Sequence, residues 1–226
     1  MINNMKKSAV IVFCVFAACL LALTFCGCSK KSSGNSSSNS NSNSNTQKNN
    51  TQFSEKNFQQ TDLVEIDIAN YGKITVGLDA NAAPITVANF KKLVGQGFYN
   101  GLTFHRIIAD FMMQGGDPDG NGTGGSPETI KGEFSENGVN NTLAHTRGAI
   151  SMARSQANDS ASSQFFIVHK TSSNNSSALD GKYCCFGYVQ SGMEIVDKVI
   201  ADAKPTDNNG TIPAAQQPKI TSITLK

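Results

Sequence analysis

The chain has 226 residues, of which 38% are hydrophobic, and it carries 19 basic and 17 acidic side chains. This length and apolar content can bury one domain and leave room for extensions. A formal net charge of +2 gives no electrostatic reason to expect a nucleic-acid partner, so a strongly basic nucleic-acid-binding protein is excluded.

The N-terminus has the pattern of an export signal. Lys6 and Lys7 form a charged region, residues 9–23 form an apolar region, and Gly27 supplies a small residue at a cleavage point. We therefore predict a signal peptide over residues 1–27. Its removal leaves 17 basic against 17 acidic residues, because it takes away two of the 19 basic residues and no acidic one.

The end of this signal predicts a lipid anchor. Residues 25–28 resemble a bacterial lipobox, in which the cysteine after the cleavage point receives diacylglycerol. Cys28 follows the small Gly27, whereas Cys26 follows the bulky Phe25, so Cys28 is the predicted lipidation site. An uncleaved transmembrane span is the alternative, because the apolar stretch is close to the ~20 residues that a bilayer needs. In either case we expect the domain to be attached to the cell membrane on its extracytoplasmic face.

A polar tract separates this signal from the rest of the chain. Residues 29–52 are almost entirely Ser, Asn, Lys, Gln and Thr, and such a composition has no apolar surface to offset the entropy of ordering. We predict a disordered tether over residues 28–58 and one folded domain over residues 59–226.

The domain begins with the pattern of a β-hairpin. Residues 63–68 and 73–78 alternate apolar and polar side chains on either side of a turn at residues 70–72. Amphipathic helices are predicted from Pro84 and over residues 193–202. Short apolar runs separated by Gly, Asn and Ser predict further strands at residues 104–108, 111–114, 149–153, 164–168, 184–189 and 219–225. Many short strands with two helices favour an antiparallel barrel.

Several short blocks occur in a fixed order along the domain. They are FHRII at 104–108, FMMQGG at 111–116, GTGG at 122–125, GAISMA at 148–153, SQFFI at 163–167, LDGKY at 179–183 and FG at 186–187. In this order the blocks resemble the signature of the cyclophilin-type peptidyl-prolyl cis-trans isomerases. The resemblance implies a closed eight-stranded antiparallel β-barrel capped by two α-helices. It also implies an enzyme that catalyses cis-trans rotation about X-Pro peptide bonds, needs no cofactor or metal, and works as a monomer.

The resemblance also implies which residues form the site. No covalent bond breaks when an X-Pro amide rotates, so an electrostatic donor and apolar walls are sufficient. The catalytic residues would be Arg106, Phe111 and Gln114, with Arg106 donating to the prolyl carbonyl and Gln114 orienting Arg106 or holding a substrate carbonyl. The substrate-binding residues would be Met112, Ala153, Arg154, Gln164, Phe166, Leu179 and Tyr183.

Three positions depart from the pattern of the best-known relatives. Arg154 stands where many of them have Asn, Tyr183 where His is common, and Ala178 where they carry Trp. Because that indole supports binding of the immunosuppressant cyclosporin, we expect cyclosporin to inhibit this protein weakly. We expect catalysis to be less affected than cyclosporin binding, since Tyr183 can form a wall of the pocket in place of the His.

Other motifs and functions stay open as alternatives. Asp117 to Glu128 fits a calcium-loop pattern and Gly120 to Gly125 a dinucleotide-binding pattern, but both motifs require an adjacent helix. The expected partners are proline-containing, incompletely folded exported polypeptides. A non-catalytic chaperone or adhesin module that binds proline peptides is the alternative, although simple binding would not require Arg106.

Overall fold

The computed structural model describes residues 52–226. The predicted signal peptide, Cys28 and most of the predicted tether lie outside the described residues. Near the start of the described residues, Ser54 N donates to Thr142 O (2.9 Å) and the Phe58 ring packs edge to face against Tyr188. No helix in the described part of the chain is long and apolar enough to span a bilayer.

An eight-stranded antiparallel sheet forms the body of the domain, which confirms the mainly β prediction. The strands are β1 (Asp62–Ile68), β2 (Gly72–Leu78), β3 (Thr103–Ile108), β4 (Met112–Asp117), β5 (Ala149–Met152), β6 (Phe165–Val168), β7 (Cys185–Ser191) and β8 (Ile220–Leu225). Their order in the sheet is β3-β4-β6-β5-β7-β2-β1-β8. The predicted hairpin is β1–β2, and Asn70 (φ 69°) and Gly72 (φ 121°) take the left-handed conformations of its turn.

The predicted closure of the barrel was wrong. Strands β3 and β8 stand at the two ends of the order and share no ladder; Thr103 and Lys219 form an isolated bridge between them. Phe104 N donates to Pro218 O (2.9 Å), but Pro218 has no backbone N–H that could donate to β3 in exchange. Bulges between Thr103 and Arg106 also shift the register of β3. The ends of the sheet therefore meet at isolated contacts, and the barrel stays open.

The described residues contain three α-helices instead of the predicted two. They are α1 (Pro84–Gly95), α2 (Ser173–Leu179) and α3 (Met193–Asp202), and the prediction identified α1 and α3. Helix α2 was missed because its sequence, SNNSSAL, has no apolar periodicity. It begins where Ser172 Oγ accepts a hydrogen bond from Asn175 N (3.0 Å), and its last residue, Leu179, is buried.

The sheet separates two apolar clusters. Phe165 and Ile167 lie in the main core, whereas Phe166 and Val168 lie in a second cluster, because successive residues of a strand point to opposite faces. We call the second cluster the outer cluster. It consists of Met112, Leu143, Ala149, Phe166, Val168, Leu179, Cys185 and Tyr188, with Phe58, Ala82, Ile108, Phe111, Ala153 and Tyr183 packed against it.

Candidate active site

A row of side chains crosses neighbouring strands on the face of the outer cluster. Arg106 on β3 lies opposite Gln114 on β4, and Gln114 lies opposite Phe166 on β6. Strand β5 continues the row with Ser151. Directly opposite residues of antiparallel strands project to the same face, so the pairing brings side chains from separate sequence blocks together.

The Arg106 guanidinium is partly buried and is held by uncharged acceptors. Its Nε donates to Asn209 O (2.8 Å) and its Nη1 to Gln114 Oε1 (3.2 Å), while Met112 Sδ lies 3.9 Å from Nη1. Arg106 forms no salt bridge with any residue between 52 and 226. Burial lowers its pKa, but an arginine stays protonated at physiological pH. Among the described residues the site therefore contains a positive charge with no directly paired carboxylate, and Asp207 acts on it only at longer range.

A chain of hydrogen bonds connects Arg106 to the backbone of the GTGG block at residues 122–125. Gln114 accepts from Arg106 through Oε1 and donates from Nε2 to Gln164 Oε1 (2.9 Å). Gln164 then donates from Nε2 to Gly124 O (2.7 Å) and Gly122 O (3.2 Å). Each amide uses its oxygen on one side and its nitrogen on the other, so the chain fixes the orientation of both glutamines.

Apolar side chains form the surface beside Arg106. Phe166 and Leu179 are 4% and 5% exposed, and Tyr183 meets Phe166 edge to face with ring centroids 6.0 Å apart. Met112 and Phe111 contribute to the same cluster from the start of β4 and the turn before it. A proline ring requires apolar walls of this kind.

Ala153 and Arg154, two of the predicted substrate-binding residues, differ in their surroundings. Ala153 packs against the outer cluster, and its N–H donates to Gln164 O (2.9 Å), which commits that group to the protein. The Arg154 guanidinium is directed to backbone carbonyls, with Nε donating to Lys182 O (3.0 Å). All predicted site residues thus lie on or beside one face, and their roles remain predictions.

A buried polar group behind the apolar wall was missed by the sequence analysis. His145 Nδ1 lies 2.8 Å from Asp180 Oδ1, its Nε2 lies 2.9 Å from Ser151 Oγ, and its ring stacks on Phe166 with centroids 6.0 Å apart. Burial lowers the pKa of His145, although Asp180 opposes the shift. The arrangement resembles a hydrolase triad, but Ser151 and His145 are 0% exposed, so no substrate can reach the hydroxyl. The group packs behind Phe166 and supports it, and no spacing of these residues in the sequence predicts the group.

The calcium-loop pattern folds as a self-contained turn. Asp117 Oδ1 accepts from Asp119 N (2.8 Å) and Oδ2 from Asn121 N (3.1 Å). Although burial raises the pKa of Asp117, these backbone donors lower it overall. The loop follows strand β4 instead of a helix. Among residues 52–226, no group of three or more His, Cys, Asp or Glu side chains could hold a metal ion.

Comparisons with known proteins agree with this geometry. Residues 63–225 match the family model of the cyclophilin type peptidyl-prolyl cis-trans isomerase/CLD. Peptidyl-prolyl cis-trans isomerase B of Bacillus subtilis is 49% identical over 122 residues, which cover 54% of this chain and 79% of the relative. A peptidyl-prolyl cis-trans isomerase of Acinetobacter baylyi is 42% identical over 161 residues, covering 70% of this chain and 82% of that protein.

A solved structure agrees with the sequence relatives. It is a Cryptosporidium parvum cyclophilin type peptidyl-prolyl cis-trans isomerase, crystallised in the presence of the dipeptide Ala-Pro, with a TM-score of 0.61 and 29% identity. The match covers 73% of this chain and 98% of that one. The sequence blocks, the arrangement of strands and these matches lead to one conclusion: the chain belongs to the cyclophilin-type peptidyl-prolyl cis-trans isomerase family.

Proposed function

We propose that this protein catalyses cis-trans rotation about X-Pro peptide bonds in exported polypeptides. One observation carries the proposal: a partly buried Arg106 guanidinium, held by Asn209 O and Gln114 Oε1, has Met112 Sδ 3.9 Å from its Nη1 and stands in the same row of side chains as Phe166. A pocket that only bound proline would need the apolar walls and not the charge.

The energetics of amide rotation fit these residues. Resonance gives the C–N bond partial double-bond character, and the barrier to rotation is about 20 kcal/mol. When Arg106 donates to the prolyl carbonyl, it favours the twisted amide, in which the nitrogen regains its lone pair. A charge-assisted hydrogen bond contributes about 1.5–3 kcal/mol, which corresponds to roughly ten- to a hundredfold in rate. The remaining acceleration comes from holding the proline ring in place while the preceding residue swings.

The catalytic role is tested by a cis-to-trans peptide assay on the purified protein. We expect Arg106→Ala to lower kcat/KM about ten- to a hundredfold. Arg106→Lys should lower it nearly as much, because one ammonium group cannot reproduce the fork that meets Asn209 O and Gln114. Arg147→Ala is the matched control, since Arg147 is an exposed arginine whose guanidinium bonds Asp197 and His169 O and makes no bond to Arg106 or Gln114.

The same experiment separates the enzyme from a binding module. A protein that binds proline peptides without accelerating their rotation would contradict catalysis and support a chaperone or adhesin function. An Arg106→Ala variant as fast as the wild type would contradict the assigned role of the guanidinium.

We also propose that the protein acts as a monomer at the extracytoplasmic face of the cell membrane, tethered by a lipid on Cys28. The lipobox-like residues 25–28 and the polar tract after them support this location, which would keep the domain near emerging exported chains. Radiolabelled palmitate should label the protein in cells. Cys28→Ala should abolish the label, whereas the control Cys26→Ala should keep it, and a label that survives Cys28→Ala would contradict the site.

The location and the oligomeric state need separate measurements. Protease added to intact cells or protoplasts should digest the domain if it faces outward, and protection from the protease would contradict that orientation. Light scattering on the purified protein should give the mass of one chain, and a mass of two chains or more would contradict the monomer.

A further inference from the structure

The Arg154 guanidinium lies close to two aromatic rings. Its Cζ is 4.8 Å from the centroid of the Tyr183 ring and 5.0 Å from that of Phe134. The edge of the guanidinium is also occupied, because Nε donates to Lys182 O (3.0 Å) and Nη1 to Ser155 O (3.0 Å). In contact with both rings and hydrogen-bonded to two backbone carbonyls, the cation is part of the protein's own packing.

These contacts act on one residue in two ways. The Lys182 carbonyl belongs to the peptide group that precedes Tyr183, so Arg154 holds the backbone at Tyr183 as well as the ring. Phe134, the second ring in contact with the cation, is 1% exposed and belongs to the main core. Arg154 therefore anchors the partly exposed Tyr183 to a buried part of the domain.

Tyr183 stands at the edge of the candidate site. Its ring meets Phe166 at an interplanar angle of 81° and packs against the outer cluster. It lies in the connection between α2 and β7, where it has no strand ladder to hold it. Without an anchor, a ring in such a connection would sample several rotamers, and each binding event would have to restrict it.

We propose that Arg154 is a positioning residue for substrate binding: it holds Tyr183 as a fixed wall of the proline pocket. The inference rests on the proposed isomerase function. A planar guanidinium suits this role, because it can stack on two rings while its edge donates hydrogen bonds, which a lysine ammonium cannot do. Arg154 and Tyr183 thus form a structural unit at two of the positions where this chain departs from its best-known relatives.

The kinetic test is a double-mutant cycle with a proline peptide substrate. We expect Arg154→Gln to lower kcat/KM about fivefold, with most of the change in KM and kcat within about twofold. In a Tyr183→Leu background the same substitution should have almost no further effect, because the ring on which it acts is gone. In a Tyr183→Phe background the fivefold effect should persist, since the stacking needs the ring and not the hydroxyl.

Controls separate positioning from a general loss of structure. Arg147→Gln removes an exposed arginine elsewhere and should leave kcat/KM unchanged. Arg154→Lys keeps the charge and loses the fork, so it should fall between the wild type and Arg154→Gln. Thermal unfolding of each variant reports any loss of stability separately from KM.

An NMR measurement tests the anchor without any catalysis. With isotope-labelled tyrosine rings, Arg154→Gln should shift or broaden the Tyr183 signals and leave those of Tyr71, Tyr99 and Tyr188 in place. This result would stand even if the wild-type protein proved inactive, so failure of the isomerase function and failure of the inference are distinguishable. Unchanged Tyr183 signals, or an Arg154→Gln effect that persists in full in the Tyr183→Leu background, would overturn the proposal.

Discussion

At the scale of single residues, Gln114 joins the charged and uncharged parts of the site. It accepts a hydrogen bond from Arg106 and donates one to Gln164, so its amide cannot flip without losing both hydrogen bonds. If Gln114 were apolar, the guanidinium would keep its bond from Nε to Asn209 O and the weak contact of Nη1 with Met112 Sδ, but it would lose the amide oxygen that orients Nη1.

We expect Gln114→Leu to lower kcat/KM about tenfold, because the rate depends on where the Arg106 donors point. The free energy of unfolding should change by less than about 1 kcal/mol, since the lost bonds are only partly buried. Gln190→Leu is the matched control, because Gln190 bonds a backbone carbonyl on β7 away from Arg106. A wild-type rate in Gln114→Leu would show that Arg106 needs no orientation from this amide.

Ala178 provides a second prediction at this scale. It is exposed, directly before the buried Leu179 of the outer cluster, so a larger side chain has room there. The expectation of weak cyclosporin inhibition comes from the missing indole at this position. Ala178→Trp should therefore tighten inhibition at least about tenfold, a change of ~1.4 kcal/mol, measured as an inhibition constant in the peptide assay. Ala178→Leu, which adds an apolar side chain without an indole, is the control, and equal constants for the two variants would refute the role of the ring.

At the scale of elements, the start of α1 depends on a residue far along the chain. Ala83, the residue before the helix, has no side chain that can cap it. Glu133 takes this role, with Oε1 accepting from Ile85 N (3.0 Å) and Oε2 from Thr86 N (2.7 Å). Its carboxylate is 2% exposed, and a negative charge is favourable at a helix N-terminus.

Replacing this carboxylate should destabilise the domain. Glu133→Gln puts an NH2 group opposite a backbone N–H, so we expect a loss of about 1.5–3 kcal/mol in the free energy of unfolding. Urea unfolding followed by circular dichroism measures it. Glu136→Gln, an exposed change in the same segment, should lie within about 0.5 kcal/mol of the wild type. Equal stability of the two variants would mean that α1 does not need this cap.

Local sequence patterns predicted the elements that local physics determines. The β1–β2 hairpin, α1 and α3 each have a clear period, and the structure places them where the pattern indicates. Helix α2 has no such period, because only Leu179 of its residues is buried. The open sheet depends on the bulges of β3 and on how Pro218 meets that strand, which no local window contains.

At the scale of the whole molecule, the site is a product of strand pairing. Arg106, Gln114 and Phe166 become neighbours only because β3, β4 and β6 pair in one register. The family blocks made these residues predictable. The supporting contacts of His145 and Arg154 were not predictable, because their partners lie in other segments and follow no spacing rule.

Two buried histidines make the stability of the whole domain depend on pH. Burial lowers the pKa of His105, while Asp117 raises it and Arg106 lowers it further. Burial also lowers the pKa of His145 against the opposing effect of Asp180. In the unfolded chain both imidazoles titrate near an ordinary value of about 6.5. Below that pH the unfolded chain binds more protons than the folded one, so stability is present in full above about pH 6.5 and is lost as pH falls.

We therefore expect the free energy of unfolding to fall between pH 7.5 and pH 5, by at most about 2 kcal/mol for each histidine. Urea unfolding at several pH values measures the slope, and His105→Asn should reduce it because one of the two groups is removed.

The rate should behave differently: kcat/KM should stay flat from pH 6 to pH 9 wherever the protein is folded, because Arg106 stays charged and rotation needs no general acid or base. A flat stability curve would contradict the burial of neutral imidazoles, and a bell-shaped rate profile would contradict a purely electrostatic mechanism.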